Sequence, residues 1–117
     1  MRIDLGALRD LSGFCGAAVV DSETGLVLGR AVADGRYLEA GAAGSMEVVR
    51  AARRLVHSLE SENDLEDVVV TLGEHYHLAR TVAKSPAIFL YLWLDRRSAN
   101  LALARITLKQ VEEAITV

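Results

Sequence analysis

One cysteine, one proline and 5% aromatic residues in 117 exclude several classes of protein at once. A lone Cys15 cannot close an intrachain disulfide, so a disulfide-stapled scaffold is ruled out and a reducing, cytoplasmic setting is expected. Pro86 is the single proline, and no Ser-rich tract accompanies it to form a linker; one domain over residues 1–117 is expected. The longest unbroken apolar run, residues 87–94, has eight residues, far short of the roughly 20 that span a bilayer, so direct membrane insertion is not expected. Leu11, Ser12 and Gly13 stand before Cys15 much as in a lipoprotein signal, but Phe14 breaks the spacing and Asp4, Arg9 and Asp10 charge the region that should be apolar. A dominant basic surface is lacking as well. Thirteen Lys and Arg against 16 Asp and Glu leave a net charge of −3, which argues against nucleic acid as a partner.

Catalytic equipment is equally scarce. No G-x-x-x-x-G-K-S/T loop occurs, so nucleotide is not expected to bind by that route. No nucleophile elbow or carboxylate pair in an apolar setting is visible, and no enzyme, catalytic residue or cofactor is expected. His75 and His77 alternate on one strand and share a face, but nothing in the sequence brings His57 or Cys15 to them as a third metal ligand; no metal site is expected. Cys15 reads as a small core residue.

What is present is a long amphipathic helix over residues 38–59. On a wheel of 3.6 residues per turn, Val48, Val49, Ala52, Leu55, Val56 and Leu59 fall within about a third of the circumference and read as the face that lies on a core. Glu47, Arg50, Arg54 and His57 lie opposite and face water or a charged partner. Met46 and Arg53 flank the apolar arc on one side, while Ala40, Gly44 and Ala51 line the other, so a second contact, with another copy of the chain, is expected along one flank. The Met46 side is the choice, because an exposed methionine otherwise lacks a reason. Gly41 and Gly44 each cost about 1 kcal/mol relative to Ala, so a later start near Ser45, as the N-cap, is the alternative to a start at Leu38.

Around this helix, residues 1–11 carry Ile3, Ala7, Leu8 and Leu11 at helical spacing. Residues 14–20 and 26–32 form a hairpin across the polar cluster 21–25. Residues 67–72, 75–82 and 87–94 read as three further strands, the first two joined by the two-residue turn Gly73-Glu74. The last strand is apolar on both alternating sets, so it belongs in the middle of a sheet covered on both sides. Ser98 is the expected N-cap of a final helix with Leu101, Ala104, Leu108, Val111 and Ile115 on one face. The segment SENDLED, residues 61–67, is an exposed acidic turn, or an acidic rim facing a basic partner. The order α-β-β-α-β-β-β-α gives an α+β fold: a five-stranded antiparallel sheet with helices on both faces.

That order, with GFCGAAVVDSETGLVLG at 13–29, DVVVTLGEHYHLARTV at 67–82 and FLYLWLDRRSANLALARITL at 89–108, resembles the Roadblock family, which includes the roadblock-type dynein light chains and bacterial regulators of Ras-like GTPases. The resemblance implies a profilin-like sheet with the long helix on one face and the terminal helices on the other. It also implies a homodimer in which the strand at 67–72 pairs with its copy and the long helices lie side by side. The expected interface is Met46, Val49, Arg53, Val56, Val69 and Thr71; the expected partner-binding face is Glu47, Arg50, Arg54 and His57, presented to a small Ras-like GTPase. Alternatives are a small-molecule sensor with a cavity between sheet and helix, or an assembly subunit with no GTPase.

Overall fold

The computed structural model describes residues 1–116. Five strands, β1 (Phe14–Asp21), β2 (Val27–Val32), β3 (Asp67–Thr71), β4 (His75–Thr81) and β5 (Ile88–Asp95), form one antiparallel sheet in the order β2-β1-β5-β4-β3. Two α-helices, α1 (Leu38–Ser58) and α2 (Leu101–Glu113), and a 3-10 turn at Gly6–Asp10 cover it. The expected α+β architecture is therefore observed, and the doubly apolar strand β5 is central.

Because successive side chains of a strand point to opposite faces, β5 divides the core into two layers. Leu90, Leu92 and Leu94 join Leu8, Ala104, Leu108, Val111 and Ile115 beneath α2 and the N-terminal turn. Phe89, Tyr91 and Trp93 join Leu38, Ala42 and Val49 beneath α1. Ala17 and Ala18 of β1, both fully buried, keep the strand thin on each face so that large β5 side chains and both helical layers fit over it. Each buried Leu or Phe contributes about 1.5–3 kcal/mol relative to exposure, so β5 alone carries a large share of the fold. The hairpin between β1 and β2 turns at Gly25, whose φ of +77° is the left-handed region that favours glycine.

Two local expectations are corrected and one alternative is decided. The N-terminal helix is only a 3-10 turn, because Arg2 is drawn into extended pairing with Thr116 (N···O 2.8 and 3.1 Å). Asp4 Oδ1 also accepts the Gly6 N–H at 2.8 Å, holding the chain in a turn. α1 starts at Leu38 and not near Ser45: Leu38 and Ala42 are buried on the sheet, and tertiary packing overrides the weak propensity of Gly41 and Gly44. The cap of α2 is Asn100, whose Oδ1 accepts from the Leu103 N–H at 3.0 Å; Ser98 belongs to the preceding turn, donating its N–H to Asp95 O.

Candidate interaction surface on α1 and the β3 edge

The inner face of α1 is set by Leu38, Ala42 and Val49, the last 1% exposed. Val49 is therefore spent on the chain's own core, and its expected place in an interface with another copy is corrected. The flank with Met46 and Arg53 is also turned to its own chain. Met46 packs against the α1-side core layer, and its Sδ lies 3.4 Å from where a Cβ on Gly25 would stand. Arg50 donates to Glu23 O at 2.6 Å and Arg53 to Pro86 O at 3.4 Å. Met46 thus has its reason within the molecule: it fills the gap between α1 and the β1–β2 hairpin.

The opposite flank is the free one. Val48 and Ala52 are half-buried, while Leu55 and Leu59, expected in the core, are 59% and 68% exposed. The reason is positional, since the last turns of α1 run past the sheet and only Val56 among them keeps partial cover. Residues 48, 52, 55 and 59 stand at helical steps of four, three and four, so they form one stripe along the helix. Gly41, on the same side of the wheel, lies against Tyr91, which hydrogen-bonds to His77 of β4; the stripe therefore runs along the β4–β3 side of the sheet.

That side ends in β3, which among the described residues pairs with β4 only and presents a free edge. Val69 lies opposite Leu78 and packs on the α2-side core, whereas Val68 and Val70 lie opposite Ala79 and His77 on the α1 side. Thr71 is exposed. A cleft of about 670 Å³ extends from Val56 and Leu59 past Leu65 to Ile106 and Arg105 of α2. Asp67, from the acidic segment, makes a paired hydrogen bond to Arg105 (2.8 and 3.0 Å). Arg80, 7% exposed, meets Glu112 at 3.1 Å inside the molecule.

Glu47, Arg50, Arg54 and His57 are exposed on the outward face as expected. Glu47 pairs with Arg50 at 3.5 Å; the guanidinium of Arg54 has no hydrogen-bond or ion-pair partner among the described residues.

A feature the strand periodicity only half announced lies beneath the first turns of α1. His77 Nδ1 is 2.7 Å from Tyr91 Oη, and His77 Nε2 is 3.1 Å from His75 Nδ1. His77 stacks on Trp93 with 8° between planes, and Tyr37 closes on His75 and Trp93 at 5.1 and 5.2 Å between ring centres. Burial holds His77 below the usual histidine range, with His75 adding to the effect, and burial raises Tyr91 above the usual tyrosine range. Shared-face alternation predicted the two histidines together; the bond to Tyr91, one strand away, needed the β4–β5 register. Cys15 is half-buried with its thiol pushed up by burial, and its Sγ lies 3.4 Å from Gly13 O. Among the described residues no group of three or more His, Cys, Asp or Glu is placed to hold a metal, and no helix is long and apolar enough to cross a membrane.

No family model and no curated protein sequence matches this chain; solved structures do. A Roadblock/LC7 domain from Streptomyces avermitilis is 16% identical, covers 93% of this chain and 88% of its own, and superposes with a TM-score of 0.80. The gliding protein MglB of Thermus thermophilus is 20% identical over 92% of this chain and 78% of its own, TM-score 0.77. An MglB described as having a tetrameric arrangement is 21% identical over the same shares, also at 0.77. Identities this low carry the fold alone, and the element order and sheet topology above agree with it: the chain has the Roadblock/LC7 fold.

Proposed function

We propose that this chain is a non-enzymatic, homodimeric regulator or scaffold that binds a small Ras-like GTPase. The observation that carries the self-association is the coincidence of a free β3 edge with an exposed apolar stripe on the same side of α1. A second copy related by a two-fold axis would satisfy both at once, with strand paired to strand and helix beside helix. Full burial of Leu55 and Leu59 contributes about 1.5–3 kcal/mol each. The seam in this reading is Val48, Ala52, Leu55, Leu59, Val68 and Val70, in place of the Met46 flank. The tetrameric arrangement described for one MglB is in line with self-association.

Pairing the helices leaves Glu47, Arg54 and His57 of both copies on one outward platform, and the GTPase is assigned to it on the sequence's resemblance to regulators of such proteins. The space between α1 and the sheet is filled by Phe89, Tyr91 and Trp93, which disfavours the sensor reading. The test has two arms. Light scattering of wild type and of a Leu55→Asp/Leu59→Asp variant reads the dimer. Retention of a small GTPase from lysate of the source organism, in GDP and in a non-hydrolysable GTP analogue, reads the partner. A GTPase held in one nucleotide state by wild type and lost on Arg54→Glu supports the proposal; retention indifferent to nucleotide, or none, overturns the GTPase and leaves an assembly subunit.

A further inference from the structure

We propose that His75, His77 and Tyr91 form a proton-sensitive latch that holds the first turns of α1 on the sheet near neutral pH and releases them in acid. The latch needs no partner, because it follows from the hydrogens available along the bonded row.

Tyr91 is fully buried, and its hydroxyl has one hydrogen-bond partner among the described residues, His77 Nδ1. The backbone of Gly41 closes over the same oxygen so tightly that a Cβ there would overlap it. The hydroxyl must therefore donate to Nδ1, because its hydrogen has no other acceptor. That leaves the proton of neutral His77 on Nε2, where it is donated to His75 Nδ1 across 3.1 Å. Each of the two hydrogen bonds of the neutral row then has one donor and one acceptor, and the row runs in one direction only.

An added proton breaks that order wherever it goes. On His77 Nδ1 it turns the Tyr91 hydroxyl from donor to acceptor and strands the phenolic hydrogen in a buried site. On His75 Nδ1 it faces the N–H of His77, and relief requires the proton of His77 to move to Nδ1, with the same result for Tyr91. A second proton sets two imidazolium N–H groups against each other. Buried donors without acceptors are costly, and Tyr91 passes that cost to the helix because its oxygen rests on Gly41.

The surroundings offer an imidazolium no compensation. From α1 and its cap come Tyr37, Leu38, Gly41 and Ala42, none charged; β3 contributes Val70 opposite His77, and β1 the thiol of Cys15. In the loop before α1, Asp34 is engaged by Arg36 at 2.7 Å. Glu74 precedes His75 in the turn. Asp95 lies opposite His75 in register, but its carboxylate is engaged by the Arg97 backbone N–H at 3.1 Å and its guanidinium at 3.6 Å. Neither imidazole is hydrogen-bonded or ion-paired to a carboxylate among the described residues.

The direction of the linkage follows. Burial lowers the affinity of folded His77 for protons, so the unfolded chain binds more of them. Stability is fully present above the ordinary histidine range and is lost as pH falls through it. Each proton taken up on unfolding changes the unfolding equilibrium by up to about tenfold per pH unit.

The experiment is amide hydrogen exchange by NMR on the intact wild-type chain at pH 7.5 and pH 5, corrected for intrinsic rates. It compares residues 41–43 of α1 with residues 104–108 of α2. The expected result is a loss of protection at least tenfold larger in α1. Equal loss in both helices, or none, overturns the latch. In parallel, urea unfolding of a His75→Gln/His77→Gln variant, which keeps hydrogen-bonding side chains but cannot titrate, should show a flatter pH dependence than wild type, while His57→Gln should not. An unchanged slope in the double variant refutes the assignment, and if that variant does not fold, the wild-type exchange comparison decides.

Discussion

Two glycines three residues apart in α1 should respond to the same substitution with opposite signs. Gly→Ala inside a helix gains about 1 kcal/mol from propensity alone. At Gly44 nothing lies within 4 Å of the new Cβ, so Gly44→Ala should be more stable by close to that amount. At Gly41 the Cβ would overlap Tyr91 Oη and lie 3.0 Å from Cε2 of the same ring. Tyr91 is fully buried beneath the helix and cannot swing out, so either the ring or the first turns of α1 must move. Overpacking of this kind costs about 1–3 kcal/mol, and loss of the hydroxyl's acceptor adds about 1–3 kcal/mol. Set against the propensity gain of about 1 kcal/mol, the net loss is about 3 kcal/mol, and the two variants should differ by about 4 kcal/mol, a factor of roughly 1,000 in the folding equilibrium. Urea unfolding at pH 7.5 reads this as midpoint shifts in opposite directions with an unchanged slope. Two protein concentrations separate any contribution from self-association. A Gly41→Ala midpoint at or above that of wild type would refute the close approach of α1 to Tyr91.

Three further outcomes are expected. Asn100→Ala should cost about 1 kcal/mol through loss of the α2 cap, whereas Ser98→Ala should stay within about 0.5 kcal/mol; thermal or urea unfolding distinguishes them, and the reverse order would restore Ser98 as the cap. Glu112→Gln removes the charge that faces buried Arg80 and should cost about 3 kcal/mol, read as a lower urea midpoint; a neutral result would mean that the more distant Glu66, at 3.9 Å, suffices for the guanidinium. Leu55→Asp/Leu59→Asp should give monomers in light scattering, while Met46→Ala should lower stability and leave self-association intact, since Met46 packs on its own hairpin.

Much of the fold was legible because its strongest signals are local or periodic. The doubly apolar β5 announced its central place, and the hairpins at 21–25 and 73–74 followed from Gly and polar clusters. The long helix was legible as an element but not as a set of faces. The wheel shows that Val49 and Leu55 share an arc, but where the sheet ends beneath the helix depends on long-range docking, and that decides that Val49 is buried and Leu55 is not. Met46 misled for a related reason: the gap it fills is created by the β1–β2 hairpin, 20 or so residues away. The start of α1 at Leu38 also lay beyond propensity, since Leu38 and Ala42 become worth burying only once Tyr91 and Trp93 are beneath them. The histidine row needed the β4–β5 register as well as the strand period.

The sheet has two free edges, and their geometry bears on which one another copy should use. β2 shifts register against β1 between Val19 and Val20, which leaves Leu28 58% exposed. Such a bulge twists an edge strand and discourages further pairing. β3 pairs with β4 over Asp67–Thr71 without interruption, so its outer row of backbone groups is regular. Only β3 also lies beside the apolar flank of α1, so a copy added there gains main-chain hydrogen bonds and buried Leu side chains together. A lysine on the α1 side of β3, Val70→Lys, should therefore prevent self-association, because its ammonium would be buried against the helix of the partner at a cost of several kcal/mol. The same charge at Leu28→Lys, on the bulged edge, should not. Sedimentation velocity of the two variants, with circular dichroism to show that both are folded, separates the edges: a monomeric Leu28→Lys beside a dimeric Val70→Lys would move the seam to β2 and detach it from the α1 stripe altogether.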